Sequence, residues 1–124
     1  MTKPKILVVD DDEAVLDYLH AKLGDRFHLV STSTPQHVLH LARDEQPDLI
    51  ICDFDMPDMD GADVSRALYA DEQTRHIPLL FLTALATPAD IKRLQGQMSG
   101  RAAMSKSAPM DKLVERIESL IGST

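Results

Sequence analysis

In this chain, polar groups capable of chemistry follow directly on apolar runs. Asp10 and Asp11 come after residues 6–9, Asp53 after 49–52, Thr83 after 79–82 and Lys106 after the weaker run 101–105. Three carboxylates brought within a few ångströms of one another repel, so one must hold a proton with a raised pKa or a cation must neutralise them. Hard oxygen ligands with room for water favour Mg²⁺, which needs few protein groups and bridges readily to a phosphoryl oxygen. A carboxylate can also attack phosphorus and form an aspartyl phosphate, provided the incoming negative charge is screened. Lys106 can bring a point charge to one phosphoryl oxygen and the Thr83 hydroxyl a hydrogen bond to another. For any one of these residues alone, a side chain that ends a strand and faces a loop is the plainer alternative.

The elements that must position these groups alternate strictly. Lys5-Ile6-Leu7-Val8-Val9 reads as a buried strand, and the helix after it carries Val15, Leu16, Leu19 and Leu23 on one face, with Asp12 as cap and Gly24 as stop. Residues 27–32 form a less apolar second strand, expected nearer a sheet edge. Thr34-Pro35 supplies a cap and a first-turn proline for a helix with Val38, Leu39 and Ala42 inward, ended by Pro47. The strand Leu49-Ile50-Ile51-Cys52 is apolar at every position, as a strand buried on both faces must be. Asp60-Gly61 then turns the chain into a short helix marked by Val64 and Leu68. Residues 77–82 make a fourth strand, and Thr87-Pro88 opens a helix expected to turn Ile91 and Leu94 inward. Residues 101–105 make a weak fifth strand, followed by a helix with Met110, Leu113, Val114, Ile117, Leu120 and Ile121 on one stripe and Gly122 beyond its end.

Such alternation predicts an α/β fold: a doubly wound, five-stranded parallel sheet with helices on both faces, joined by right-handed crossovers. In the flavodoxin-like order 2-1-3-4-5, the first and third strands are neighbours at the switch point, so Asp10, Asp11 and Asp53 meet at one lip of the sheet. The 124 residues fit one domain, 1–124. No apolar run is long enough to cross a bilayer and no secretory leader is evident, so a cytoplasmic location away from membranes is expected. A net charge of −7 argues against sequence-independent nucleic-acid binding, which needs an excess of Lys and Arg.

Taken together, Ile6-Leu7-Val8-Val9-Asp10-Asp11, Asp53 with Met56-Pro57 and Asp60-Gly61, Phe81-Leu82-Thr83-Ala84, and Lys106 resemble the receiver domain of bacterial two-component response regulators. The resemblance spans the whole chain and rests on the combination and order of these motifs. It implies that Asp53 is the phosphoacceptor, taking a phosphoryl group from a sensor histidine kinase or phosphotransfer protein. It also implies that Mg²⁺ is held by Asp10, Asp11, Asp53 and the main-chain carbonyl of Asp55, with Thr83, Ala84 and Lys106 around the phosphoryl group. The implied role is a signalling switch toward a downstream protein or fused output domain, with self-phosphotransfer and autodephosphorylation but no other enzymatic turnover.

Two positions depart from the family pattern. Ser107 follows Lys106 where a cis-proline is usual, so the Lys106–Ser107 bond is expected to be trans, since a cis bond without proline costs about 3 kcal/mol. Ala103 stands where an aromatic switch residue is usual, which implies an atypical readout. Two rival classes therefore stay in view: a phosphorylation-independent interaction module on the same fold, and a haloacid-dehalogenase-type phosphatase, suggested by Asp53-Phe54-Asp55. The phosphatase normally carries its nucleophile on the first strand and its extra acids late in the chain, unlike this sequence.

Other residues have bland explanations. His37 and His40, three apart on a helix, lack an obvious third metal ligand and read as a solvated face. Cys52 inside an apolar run reads as a small buried hydrophobe, Asp58 and Asp60 as turn residues, and Lys92 and Arg93 as solvated charges. Part of the final helix's stripe is core.

Overall fold

The computed structural model describes residues 3–122. Its strands are β1 (Lys5–Val9), β2 (His28–Thr32), β3 (Leu49–Cys52), β4 (Leu79–Thr83), β5 (Gln97–Met98) and β6 (Arg101–Ser105). The helices are α1 (Glu13–Leu23), α2 (Val38–Glu45), α3 (Gly61–Ala70), α4 (Pro88–Arg93) and α5 (Met110–Ile121). Strand order is β2-β1-β3-β4-β6-β5, parallel throughout except for the antiparallel β5–β6 pair.

Period-two alternation sorts the strand residues between two cores. Ile6, Val8, Leu49, Ile51, Leu80 and Leu82 pack with Leu16, Leu19 and Leu23 of α1 and Leu113 and Ile117 of α5. Leu7, Val9, Ile50, Cys52, Phe81 and Ala103 face the other way, against Val38 and Ala42 of α2, Val64 and Leu68 of α3, and Ile91 of α4. Helices therefore cover both faces, as the unbroken apolar strands require. The less apolar β2 lies at the sheet edge with its residues only partly buried or exposed.

The sheet has six strands where five were expected. Helix α4 stops after six residues. Gln95 and Gly96 then take left-handed conformations (φ 58° and 74°), and Ser99-Gly100, also left-handed (φ 49° and 75°), fold Gln97–Met98 back onto Arg101–Ala102 as a tight hairpin. Consecutive positive φ values at the two central residues suit the twist of paired strands. The early stop also corrects the placement of Leu94. It is the C-terminal cap of α4, not an inner-face residue, and is 50% exposed. Thr34 makes no side-chain cap; the segment after it is a 3₁₀ turn (Pro35–His37) leading into α2.

Candidate functional site

Strand register builds the site. Val9 pairs with Cys52, and the Asp53 amide donates to the Val9 carbonyl at 2.9 Å, so the residues just past these strands, Asp10 and Asp53, lie side by side. Thr83 pairs with Ser105 at the ends of β4 and β6, and the Lys106 amide donates to the Thr83 carbonyl at 2.7 Å. All the expected polar groups thus collect at the carboxyl edge, where open α/β sheets bind their ligands.

One oxygen from each of Asp10, Asp11 and Asp53 lies within 4.8 Å of the others. Asp10 and Asp53 are buried and Asp11 is exposed, so the cluster has a closed floor and an open rim. Lys106 Nζ is 2.7 Å from Asp10 Oδ2 and 3.4 Å from Asp53 Oδ1. The other Asp10 oxygen, Oδ1, accepts from the Asp12 amide at 2.9 Å, which fixes that carboxylate's orientation. Asp12 in turn caps α1 by accepting from the Ala14 amide.

Burial and, next, the charge of Asp10 push the Asp53 carboxyl up from its ordinary 3.8 to about 6, with Lys106 opposing the shift. Burial disfavours the Lys106 ammonium, but hydrogen bonding and charge from Asp10, together with Asp53, more than offset this and hold its pKa above the usual lysine value. At neutral pH the pocket holds more negative charge than one ammonium balances. Its donors are hard carboxylate oxygens with solvent access, a set that suits a divalent cation such as Mg²⁺.

Thr83 is fully buried, and its Oγ1 accepts from the Leu85 amide at 2.9 Å, tying the hydroxyl to the loop after β4. Ala84 is exposed on that loop, and with Leu85–Thr87 and Ser105–Ser107 it lines a groove of about 360 Å³ beside Lys106. Asp55 is exposed in the loop after β3, and its carboxylate is not part of the acidic cluster. Asp58 (φ 70°) and Asp60, which caps α3 in a reciprocal pair with Asp63, serve the turn. Cys52 is buried and reduced, with its thiol pKa pushed far up by burial and then by Asp53. His37 is exposed, and exposed His40 pairs with Asp44.

Two residues do more than the sequence reading assigned to them, which took Ser105 only as the end of a weak strand and Gly61 only as turn chemistry. Ser105, 3% exposed, accepts from the Ser107 amide through Oγ at 3.1 Å, and the two hydroxyls are 2.8 Å apart. This pair braces the turn carrying Lys106, whose bond to Ser107 is trans, as expected; no cis peptide occurs among the described residues. The Ser-X-Ser spacing was visible in the sequence and was the available signal. The second is Gly61. A Cβ there would lie 2.8 Å from Phe81 Cε1 and 2.9 Å from Phe54 Cα, so the loop after Asp53 can close onto the sheet only with glycine. Its amide donates to the Phe54 carbonyl at 2.8 Å, and the Phe54 and Phe81 rings meet edge to face at 5.1 Å.

A sequence profile described as "Response regulator receiver domain" matches residues 6–118. The chain belongs to the response-regulator receiver family. Response regulator PleD of Caulobacter vibrioides is 44% identical over 120 residues, which are 94% of this chain and 26% of PleD. This chain therefore spans about a quarter of the length of that relative. Polar-differentiation response regulator DivK of Brucella ovis is 32% identical over 123 residues, 98% of either protein. Among solved structures, the receiver domain of the Francisella response regulator 1452 superimposes with a TM-score of 0.79 at 27% identity, over 98% of both chains. As a receiver domain, the chain is a two-component signalling domain of the kind that works with histidine kinases and output domains. No helix among the described residues is long and apolar enough to cross a membrane.

Proposed function

We propose that this receiver domain accepts a phosphoryl group on Asp53 from the phosphohistidine of a sensor kinase or phosphotransfer protein, with Mg²⁺ in the acidic cluster. The observation that carries this reading is the convergence of Asp10, Asp11 and Asp53 oxygens within 4.8 Å, with Lys106 Nζ reaching both buried carboxylates. A carboxylate oxygen of Asp53 attacks phosphorus as the P–N bond to the donor imidazole breaks, and the electron pair leaves with that imidazole. With an ordinary value raised only to about 6, Asp53 is mostly ionised at neutral pH and so is a competent nucleophile. Asp10, Asp11, Asp53 and the Asp55 carbonyl would hold Mg²⁺, which would supply charge screening for the incoming phosphoryl oxygens. Lys106 exchanges part of its contact with Asp10 for a phosphoryl oxygen, and the Thr83 hydroxyl and the Ala84 region close from the other side.

The phosphorylated form alters contacts with a downstream protein or output domain, and the domain turns over no external phosphomonoester. Ala103 and Ser107 favour a second reading, a phosphorylation-independent interaction module. Mass spectrometry after exposure to acetyl phosphate and Mg²⁺ separates the two. We expect a phosphoryl adduct on the wild-type chain that is lost with EDTA and absent from Asp53→Asn. Failure to form an adduct at any Mg²⁺ concentration overturns the phosphoacceptor reading in favour of the module. Hydrolysis of p-nitrophenyl phosphate with turnover would instead point to the phosphatase class.

A further inference from the structure

An Arg-lined groove lies at the opposite end of the sheet from the acidic cluster. Its volume is about 660 Å³, and its walls are Ser65, Arg66 and Tyr69 of α3, Arg75 from the segment leading to β4, and Ser99, Gly100 and Arg101 at the β5–β6 turn. The shortness of α4 explains why this surface is open. Six helical residues rise about 9 Å, whereas the five-residue strand it runs beside extends about 16 Å, so the helix ends before it can cover the start of β6.

The charge of the groove is opposite to that of the chain. Acidic residues outnumber Lys and Arg by 20 to 13, yet three arginines and no acid line this wall. Arg66 is paired with Asp63 on its own helix. Arg75 forms no ion pair among the described residues; nearby Asp71 is already held by Arg43, and the Arg75 guanidinium sits 5.7 Å from the centre of the Tyr69 ring. Arg101 is half-buried, and its Nε donates to Ser65 Oγ at 3.0 Å. Burial works against the Arg101 charge, and among the described residues no carboxylate forms an ion pair with it. A partly buried guanidinium does not lose its proton, so it calls for an anion. Tyr69, 67% exposed, sets a large aromatic surface beside it.

We propose that this groove binds a nucleotide, with its phosphates on the Arg75 and Arg101 guanidinia and its base against Tyr69. Guanidinium forks match phosphate oxygens in pairs, and an aromatic face beside them accepts a planar base. The three arginines come from three separate segments and converge on a concavity of small-molecule size, rather than forming the row that an extended acidic peptide would follow.

Amide chemical shifts of the full chain, titrated in EDTA with ATP, GTP, inorganic tripolyphosphate and a glutamate-rich peptide, test this. EDTA removes Mg²⁺ and so keeps nucleotides away from the acidic cluster. We expect saturable shifts with a nucleotide over residues 65–70 and 99–101, and weaker binding of tripolyphosphate. Arg101→Gln, and independently the exposed-site Arg75→Gln, should each weaken nucleotide binding about tenfold or more, as loss of a charge-assisted hydrogen bond implies. Tyr69→Ala should weaken nucleotide but not tripolyphosphate. The proposal is overturned if no nucleotide shifts these residues, if tripolyphosphate binds as tightly as ATP and GTP, if both arginine variants bind like wild type, or if only the acidic peptide binds.

Discussion

Replacing Asp53 by Asn should stabilise the domain without Mg²⁺ and destabilise it, relative to wild type, with Mg²⁺. In the folded chain the Asp53 carboxyl lies near 6 against its ordinary 3.8, chiefly through burial and secondly through the Asp10 charge. Well below pH 4 the group is protonated in both folded and unfolded chains and costs nothing. As pH rises from 4 through 6, the unfolded chain loses this proton first, and the folded state is progressively disfavoured. Two pH units of displacement correspond to about 3 kcal/mol. Relaxation, water at the Asp11 rim and the cost of burying a neutral amide reduce the realised gain to about 1–2 kcal/mol.

For a domain of this size, that gain raises Tm by about 3–10 °C. The assay is thermal unfolding of wild type and Asp53→Asn in EDTA across pH 4–8, repeated with Mg²⁺. The gap should be smallest at pH 4, reach its full size above pH 6.5, and reverse with saturating Mg²⁺, which at a hundredfold excess over Kd adds about 2.7 kcal/mol to a chain that binds it. Asp10→Asn is the internal control. It removes the Lys106 partner at 2.7 Å and weakens the acceptor for the Asp12 amide, so it should show no comparable gain. A variant Asp53→Asn no more stable than wild type in EDTA at pH 7.5, or a gap independent of pH, refutes the reasoning.

Other outcomes are as definite. Mg²⁺ titration should show weakened affinity in Asp11→Ala, the exposed ligand of the cluster; unchanged affinity removes Asp11 from the site. Ser105→Ala should cost about 1 kcal/mol in denaturant unfolding and slow acetyl-phosphate labelling while leaving Mg²⁺ affinity intact, because the hydroxyl braces the Lys106 turn and touches no metal ligand. Gly61→Ala should destabilise by about 1–3 kcal/mol through overpacking against Phe54 and Phe81, measured the same way. With a beryllofluoride phosphoryl mimic, amide shifts should concentrate in the loops after Asp53 and Thr83, including residues 84–88, and stay small along 102–105; equal perturbation of both would defeat this.

The site was legible because the strands that carry it are buried on both faces. For Leu49–Cys52, burial on both faces forces four apolar residues in a row, and the first polar residue afterwards must mark the sheet edge. The same logic located Asp10 and Thr83, and the topology rule for parallel sheets supplied their adjacency. Cap chemistry was equally readable where the side chain does the capping, as in the Thr87–Asp90 box of α4. Thr34 shows the limit: it occupies the N-cap position before Pro35, but its hydroxyl makes no cap hydrogen bond, and the segment that follows is a 3₁₀ turn with Pro35 buried. Leu94 and the β5 hairpin failed for a related reason. Helical spacing continues formally through Leu94, and only the left-handed turn at Gln95-Gly96 ends it, a preference carried by one glycine and its tertiary contacts.

That hairpin also bears on how a signal could leave the domain. Had β6 been an edge strand, one side of its backbone would be free to move. Here it is bonded on one side to β4 and on the other to β5, with the Ala103 amide donating to the Gly96 carbonyl at 2.8 Å. Ala103, 1% exposed, has no side-chain rotamer to exchange. Moving residues 101–103 of β6 would therefore mean breaking backbone hydrogen bonds on both flanks with no compensating rearrangement inside. The loop after Thr83 is differently built: Ala84 and Leu85 are exposed, and the hydrogen bond from the Leu85 amide to Thr83 Oγ1 ties the loop directly to the hydroxyl at the end of β4. In the proposed phosphoacceptor mechanism, a change of partner at that hydroxyl passes first through the Leu85 amide to residues 84–88, and the exposed side chain of Leu85, 63% accessible, gives the displacement a surface on which a partner can read it.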